Sequence, residues 1–138
     1  MELRRMGADD DAVVLAAGHL FDHAPTRPLV EQFLRRDGHH LILAFIDGQP
    51  AGFISGVEVD HPDKPTEMLL YELGVDTPYR RRGIGLALVE ALKALARDVG
   101  CSGMWVPVEQ GNDVATALYR ATGADEPEPG TTLWWPLA

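Results

Sequence analysis

The sequence predicts an α/β fold in which a mixed, mostly antiparallel sheet is flanked by helices. Two observations support this prediction. Residues 40–75 contain three apolar runs of strand length, whereas the apolar residues of 82–99 recur with a helical period. Shorter segments on either side give the order β-α-α-β-β-β-α-β-α-β. No repeat or flexible linker divides the 138 residues, so a single domain over 1–138 is expected.

The first forty residues predict one strand and two helices. Glu2–Met6 is a short opening strand, and Asp9-Asp10-Asp11 offers N-cap carboxylates to a helix over about 12–23. A second short helix covers about 28–36 and ends at Gly38. The first helix places its apolar residues on one face, namely Val13, Ala16, Ala17, Leu20 and Phe21.

The centre of the sequence predicts a three-stranded antiparallel meander. His40–Ile46 is one apolar run, and Ala51–Val59 is the returning strand. The Asp47-Gly48 pair between them is a strong hairpin signal. After a loop that contains two prolines, Glu67–Val75 predicts the third strand of the meander.

The last part of the chain predicts two helices and two strands. Arg82–Val99 has one apolar stripe and ends at a glycine, as does Asn112–Thr122, which has an Asn-Asp capping pair. Gly103–Val108 is apolar enough for a buried strand between these helices. Thr131–Leu137 predicts a final strand.

The composition limits the classes of function. A formal charge of −9 at pH 7 disfavours nucleic acid as a partner and favours cationic substrates. No window has the run of about 20 apolar residues that a membrane span requires. The single cysteine, Cys101, excludes an internal disulfide, and the charged N-terminus does not resemble a signal peptide. A cytoplasmic location is therefore expected.

Two oppositely charged stretches are adjacent in the sequence. Tyr79–Leu86 reads YRRRGIGL, and such arginines and glycines at a helix start favour a bound phosphate. Immediately before it, six carboxylates accompany one lysine, which indicates a surface that attracts cations. Charged strand faces and turns that are merely solvated would give the same run. The carboxylates are Glu58, Asp60, Asp63, Glu67, Glu72 and Asp76.

Two segments carry a resemblance to the GNAT acetyltransferases. Val75–Gly85, VDTPYRRRGIG, resembles the acyl-CoA signature Arg/Gln-x-x-Gly-x-Gly/Ala of that family, and Asn112–Ala124, NDVATALYRATGA, resembles its second conserved segment. The resemblance implies the GNAT fold and acetyl-CoA as cofactor. A dinucleotide-binding loop is disfavoured, because position 88 is leucine where that fingerprint needs a third glycine.

The resemblance also implies where acetyl-CoA binds. The pyrophosphate would lie on the N-terminus of the helix beginning near Arg82, and the strand before it would bind the pantetheine arm and polarise the thioester. Gly74 is expected to mark a bulge that separates this strand from Gly103–Val108. The implied cofactor-binding residues are Leu73, Gly74, Val75, Arg80, Arg81, Arg82, Gly83, Ile84, Gly85, Leu86, Asn112, Ala115 and Tyr119.

A closer resemblance, from about Leu20 to Trp135, is to the small aminoglycoside 3-N-acetyltransferases of the gentamicin-resistance class. The matching features are a Leu-Phe pair in the first helix, a proline-containing acidic loop, a Tyr-Glu-Leu strand and an acidic residue before a Gly-Asn-Asp turn. They fall at Leu20-Phe21, Asp60–Pro65, Tyr71-Glu72-Leu73, and Glu109 with Gly111-Asn112-Asp113. Glu72 departs from the family, which tends to have Asp there.

This resemblance implies three catalytic residues and direct attack of the amine without an acyl-enzyme. Glu72 and Glu109 would bind the acceptor amine, one of them acting as base, and Tyr119 would protonate the CoA sulfur. The alternatives are a structural ion pair for Glu72, a loop carboxylate for Glu109 and a packing role for Tyr119. The implied substrate-binding residues are Asp60, Asp63, Glu72, Glu109 and Asp113.

The remaining histidines and the cysteine give weaker signals. His19 and His23 have helical i, i+4 spacing, but no third ligand is evident, so no metal site is expected. His39-His40 and His61 would either flank the acceptor or lie on the surface. Cys101 is expected to be a small, partly buried residue.

The C-terminus and the acceptor leave further questions. Trp134-Trp135 on an exposed edge strand would favour a homodimer in which C-terminal strands pack or pair with a partner subunit. The acceptor could also be a polyamine, a peptide N-terminus or another small amine. A non-catalytic acyl-CoA-binding module is the alternative from another class of function.

Overall fold

The computed structural model describes residues 1–125, 130 and 132–137. The chain folds as two compact units, Met1–Pro107 and Val108–Ala138. The first unit contains the sheet and most of the helices. The second contains one helix and the C-terminal segment. Among the described residues, no helix is both long enough and apolar enough to cross a membrane.

The strands of the first unit form one mixed sheet. They lie side by side in chain order, with antiparallel pairing throughout the first four strands and parallel pairing between the last two. The predicted sheet and its central meander are thus confirmed. Asp47 and Gly48, with φ angles of 49° and 77°, form the hairpin turn that their sequence favours. The strands are β1 Glu2–Arg5, β2 His39–Ile46, β3 Gln49–Val59, β4 Glu67–Val75 and β5 Met104–Trp105.

The described residues contain four α-helices and two 3-10 turns. Most bounds agree with the predicted ones within two residues, the scatter expected at helix ends. The helices are α1 Asp11–Ala16, α2 Arg27–Arg35, α3 Ile84–Asp98 and α4 Asp113–Ala121, and the 3-10 turns are Gly18–Leu20 and Thr77–Tyr79.

The predicted first helix over 12–23 is wrong in its second half, where α1 gives way to the 3-10 turn at Gly18. Glycine disfavours helix, and here it also admits Pro25, because a Cβ on Gly18 would lie 3.1 Å from Pro25 Cδ. Phe21 still packs inward, with its ring centroid 4.6 Å from that of Phe53. The apolar face predicted for one helix is therefore formed by a helix and a turn.

Helices cover both faces of the sheet. On one face α3 packs closely on β3, where a Cβ on Gly52 would lie 3.3 Å from Leu88 Cδ1 and a Cβ on Gly56 would lie 2.8 Å from Leu92 Cδ1. Glycine at these two positions permits the approach of the helix. On the opposite face α1 and α2 cover a buried cluster formed by Met6, Val14, Ala17, Val30, Leu41, Leu43, Phe45 and Phe53.

Two strand predictions in the last third of the chain need correction. The strand predicted over Gly103–Val108 is limited to Met104–Trp105, and Pro107 cannot donate a ladder hydrogen bond beyond it. The final strand predicted over Thr131–Leu137 is wrong, because residues 132–137 belong to no strand; Thr131 lies outside the described residues. Pro136 removes a further donor from that segment, so its apolar residues alone do not make a strand.

Candidate active site

Strand β4 carries a β-bulge at Tyr71. Ser55 of β3 pairs with Glu72, but the next residue, Gly56, pairs with Leu70, so Tyr71 is the extra residue. Leu70 lies opposite Gly56 on the α3 face and is buried. In a regular strand Glu72, two residues later, would point to that same face. The bulge instead turns Glu72 to the face covered by α1 and α2.

The predicted bulge at Gly74 is therefore wrong in position. Gly74 pairs with Phe53 in regular register. A Cβ on Gly74 would lie 2.8 Å from Phe53 Cε1, so glycine is needed there to accommodate the aromatic ring.

A cavity of about 330 Å³ opens on the α1–α2 face beside Glu72. Most of its wall is apolar and comes from residues 21–25, α2 and the inner strands. Four polar residues also line it: Asp22, His23, Ser55 and Glu72. An open apolar cavity with a few convergent polar groups is the usual form of a small-molecule site.

Glu72 has an unusual electrostatic environment. Burial raises the pKa of the Glu72 carboxyl, the negative charge of Asp22 raises it further, and His23 opposes the shift. Within the described residues no Lys, Arg or His lies within 4.0 Å of this carboxylate, so the structural ion pair considered above is not formed. The Glu72 N–H donates to Ser55 Oγ at 3.1 Å, which fixes the backbone at the bulge.

Sequence reasoning did not identify Asp22, His23 or Ser55 as site residues. Ser55 could have been identified from the sequence, because it is the single hydroxyl residue within the apolar run of β3. In the structure this serine is 4% exposed. Asp22 and His23 offered none, since they fall in a stretch that the sequence pattern assigns to a helix and that is irregular in the structure.

The loop between β4 and α3 exposes backbone N–H groups at a helix start. Arg81 has φ 64° and Gly83 has φ 77°, with Arg82 of negative φ between them. Such alternation directs successive N–H groups towards one point. Gly83 is the N-cap of α3 and provides no side-chain cap, so the N–H groups of Ile84, Gly85 and Leu86 have no helical acceptor. The arrangement fits a phosphate group.

The three arginines of this loop are exposed. Arg80 Nε donates to Val75 O at 3.3 Å, and the Arg82 guanidinium lies 5.6 Å from the centre of the Tyr79 ring. A left-handed backbone at Arg81 is unfavourable for a residue with a long side chain and often marks a functional loop. The cluster provides the positive charge that a bound phosphate group requires.

The second half of β4 has an open edge. The parallel ladder with β5 joins only Met68–Leu69 to Met104–Trp105 among the described residues. Leu73, Gly74 and Val75 pair with β3 on their other side. On the β5 side the Val75 carbonyl accepts from Arg80 Nε, whereas the backbone groups of Leu73 and the Val75 N–H are available for an extended ligand.

The predicted acidic substrate residues in the β3–β4 loop do not line the cavity. Asp60 accepts a hydrogen bond from Thr66 Oγ1 at 2.7 Å, and Asp63 is exposed. The loop joins β4 at Glu67, about 14 Å along the strand from Glu72, because the bulge lets these five steps span four residues of β3. The structure thus does not bring Asp60 and Asp63 together with Glu72.

In the second unit, Asn112 caps α4. Asn112 Oδ1 accepts from the Ala115 N–H at 3.1 Å, as the capping prediction requires, and Asp113 lies in the first helical turn. Glu109 is exposed, and its carbonyl oxygen accepts from the Asn112 N–H at 3.1 Å. Burial raises the pKa of the Tyr119 phenol. Tyr119 is therefore protonated at neutral pH, as a proton donor must be.

The histidines have different surroundings. His40 is 6% exposed and lies 2.7 Å from Glu58 on the α3 face, away from the cavity. His61 lies 2.8 Å from Glu67 in the acidic loop. None of the histidines predicted to flank the acceptor, His39, His40 and His61, lines the cavity; the histidine in its wall is His23. No group of three or more His, Cys, Asp or Glu among the described residues is arranged to hold a metal ion.

Comparison with known proteins gives related enzymes. The chain is 29% identical over 125 residues to L-2,4-diaminobutyric acid acetyltransferase of Streptomyces coelicolor, covering 86% of this chain and 65% of the relative. It is 37% identical over 60 residues to the ribosomal protein bS18 alanine N-acetyltransferase of Escherichia coli (strain K12), covering 44% of this chain and 40% of the relative. The chain thus spans less than two thirds of the length of these relatives.

The fold is also that of solved structures. An aminoglycoside acetyltransferase from an uncultured soil metagenomic sample, in complex with trehalose, superimposes with a TM-score of 0.90 at 19% identity, covering 99% of this chain and 96% of that one. At this identity the likeness establishes the fold.

A match to a family model identifies the family to which the chain belongs. The model described as the acetyltransferase (GNAT) family matches residues 11–124, which include both the loop between β4 and α3 and the helix that Asn112 caps. The cofactor of this family is acetyl-CoA, which agrees with the exposed N–H groups and arginines at the start of α3. The chain therefore belongs to the GNAT family of acetyltransferases.

Proposed function

We propose that this protein transfers an acetyl group from acetyl-CoA to a primary amine of a small cationic molecule. The observation that carries the proposal is Glu72, which the bulge turns into an open cavity where burial and the charge of Asp22 raise its pKa. A carboxylate of raised pKa takes a proton from an ammonium group more readily than an ordinary one. Glu72 is therefore the proposed base.

The reaction is proposed to proceed by direct attack. Glu72 takes a proton from the acceptor ammonium, directly or through water, and the amine nitrogen forms a bond to the acetyl carbon while the bond from that carbon to sulfur breaks. Cys101 does not suit a covalent route, because burial and the charges of Glu58 and Asp60 raise the pKa of its thiol. Glu109 is the second proposed contact for the amine.

Acetyl-CoA, when bound, supplies an acetyl group activated as a thioester. The N–H groups of residues 81–86 and the three arginines hold its pyrophosphate. The open edge of β4 at Leu73–Val75 holds the pantetheine arm and directs an N–H to the thioester oxygen. Tyr119 is proposed to protonate the departing sulfur, and Asn112 and Ala115 are proposed as further cofactor-binding residues.

The first candidate acceptor is an aminoglycoside, at its 3-amino group. The net charge of −9 and the carboxylates Asp22 and Glu72 would attract a polycation. Asp113 is proposed to hold another of its ammonium groups, whereas Asp60 and Asp63 lie away from the cavity. Acetylation would then protect a cell from the drug. We place the reaction in the cytoplasm, where the lone Cys101 thiol would remain reduced.

The second candidate acceptor is a small diamino acid or a peptide N-terminus. The curated relatives carry the names of enzymes that act on L-2,4-diaminobutyric acid and on the alanine of a ribosomal protein. Both acceptors present a primary amine near other polar groups. In both reactions Glu72 would accept the proton of that amine.

The test is an assay of thiol release from acetyl-CoA with gentamicin, kanamycin, L-2,4-diaminobutyric acid and a mixed peptide pool as acceptors. Turnover of the aminoglycosides followed by mapping of the acetylated nitrogen would support the first candidate. Turnover of the diamino acid or the peptides alone would support the second. A protein that binds acetyl-CoA but acetylates no primary amine, polar or apolar, would indicate a binding module and contradict the proposal.

A further inference from the structure

The cavity beside Glu72 combines two kinds of surface. Asp22 and Glu72 provide negative charge, while most of the remaining wall is aliphatic or aromatic. A sugar with ammonium groups all round would leave this apolar wall in contact with polar atoms. A uniformly polar acceptor thus uses only part of the site.

The apolar wall is open to solvent. Leu29 of α2 is 63% exposed, and Phe21, Phe33 and Leu34 are only partly buried. Water in contact with such a wall is released when an apolar group enters, which favours binding in proportion to the area covered. The volume of about 330 Å³ is at the lower end of ligand-binding cavities and suits one small group.

The apolar wall is continuous with the proposed base. Phe53 and Ser55 are neighbours on the same face of β3, and Ser55 Oγ accepts the hydrogen bond from the Glu72 N–H. A molecule that places an ammonium group at Glu72 therefore has the apolar wall within reach of its next few carbon atoms. Charge complementarity fixes the direction in which the molecule enters.

We propose that the acceptor is a small primary amine that carries an alkyl or aryl group, with its ammonium at Glu72 and Asp22 and its apolar group in the cavity. This inference rests on the proposed function and specifies its acceptor. Such a site would bind amphiphilic amines more tightly than uniformly polar ones.

A series of unbranched alkylamines from ethylamine to octylamine, with 2-phenylethylamine, tests the inference. We expect kcat/KM to rise by about fourfold for each added methylene until the cavity is full, because each methylene leaves water for an apolar wall. A flat or falling series, together with turnover of aminoglycosides or diaminobutyric acid, would overturn the inference and leave the proposed function in place.

Two rim substitutions test the position of the apolar group. Leu29→Asn should reduce the gain per methylene, whereas Ala24→Leu, at another exposed position of the lining, should move the optimum to a shorter amine. Val99→Asn makes a similar change at an exposed apolar residue outside the cavity. It should change neither the gain in kcat/KM per methylene nor the preferred length of the amine. Misfolding cannot shift the alkylamine length that gives the highest kcat/KM. If that length were unchanged in Ala24→Leu, the result would contradict the position proposed for the apolar group.

Calorimetric titration with propylamine and hexylamine separates this inference from catalysis. Hexylamine should bind at least about tenfold more tightly than propylamine, because its three additional methylenes enter the apolar cavity. This result would support the apolar site even if no amine were acetylated, an outcome that would by itself contradict the proposed function. Equal binding of the two amines contradicts the inference whatever the turnover.

Discussion

At the scale of single residues, Glu72 is an exposed carboxylate whose surroundings differ from those of an ordinary one. It lines the cavity, and both burial and Asp22 hold its pKa above the usual carboxyl value. The same side chain without these neighbours would be a weaker base. Its chemistry therefore depends on groups that lie far from it in the sequence.

We expect Glu72→Gln to lower kcat/KM by about 10²-fold to 10⁴-fold, the usual contribution of a positioned base. In the wild type, kcat/KM should increase with pH as Glu72 loses its proton, at a pH above the ordinary carboxyl range. Pre-steady-state and steady-state rates between pH 5 and pH 9 would measure this, with Glu90→Gln, an exposed glutamate on α3, as the control. A normal profile in Glu72→Gln would show that the base is another group.

The same raised pKa predicts a pH dependence of stability. Because the folded pKa lies above the unfolded one, the protonated form favours folding, and this contribution is full below the unfolded pKa and lost as the pH rises through the folded pKa. Denaturation by urea should show Glu72→Gln gaining stability relative to the wild type as the pH increases from 4 to 7. Parallel curves would indicate that Glu72 has an ordinary pKa.

A third residue-scale prediction concerns Gly83, whose φ of 77° is matched by that of Gly48 in the β2–β3 turn. A Cβ at either position meets no atom within 4 Å, so alanine adds only backbone strain, about 1 to 2 kcal/mol. Gly83→Ala should also raise the KM for acetyl-CoA, because the loop N–H groups must shift. Gly48→Ala should lose similar stability and keep its KM; equal KM values in both variants would argue against the loop as the phosphate site.

The sequence could indicate some site residues and could not indicate others. Glu72 and the arginines at 80–82 could be predicted because each belongs to a short motif of adjacent residues. Asp22 and His23 reach the cavity through an irregular segment, and their approach to Glu72 depends on long-range packing. No local pattern encodes that approach.

At the scale of elements, the bulge in β4 decides which face Glu72 occupies, and Ser55 stabilises it. We expect Ser55→Ala to lower the free energy of unfolding by about 1 to 3 kcal/mol, because the Glu72 N–H loses its acceptor at a partly buried position. It should also reduce kcat more than it changes the KM for acetyl-CoA.

Thermal unfolding and steady-state kinetics would measure both effects. Ser102→Ala is the matched control, since that exposed hydroxyl makes only a long contact of 3.4 Å to Thr66 O. Its stability should change by less than about 0.5 kcal/mol. Similar losses in both variants would mean that the hydroxyl of Ser55 has no special role at the bulge.

The elements that could be predicted are those with local signals. The bounds of β4 were predicted to the residue, and the Asp47-Gly48 turn fixed the hairpin before it. The bulge could not be placed from the sequence, because Tyr71 differs from its neighbours only in its pairing with β3. α1 ends before its predicted bound because Gly18 disfavours helix and leaves room for the close approach of Pro25.

At the scale of the whole molecule, the assembly state stays a prediction. Trp134 and Trp135 are 85% and 72% exposed, and such apolar side chains favour an interface. We expect light scattering at micromolar concentration to give the mass of a dimer, and the double variant Trp134→Ser, Trp135→Ser to give that of a monomer. A monomeric wild type would contradict the prediction of a homodimer.

The bulge at Tyr71 has a consequence for how this chain can change over time. Residues before it, such as Met68 and Leu70, are buried against α3, whereas Glu72 after it faces the cavity. One extra residue thus divides a single strand into a part selected for folding and a part selected for chemistry. A change at Glu72 can therefore alter the acceptor without touching the side chains packed against α3, whereas Gly74 remains fixed by the Phe53 ring.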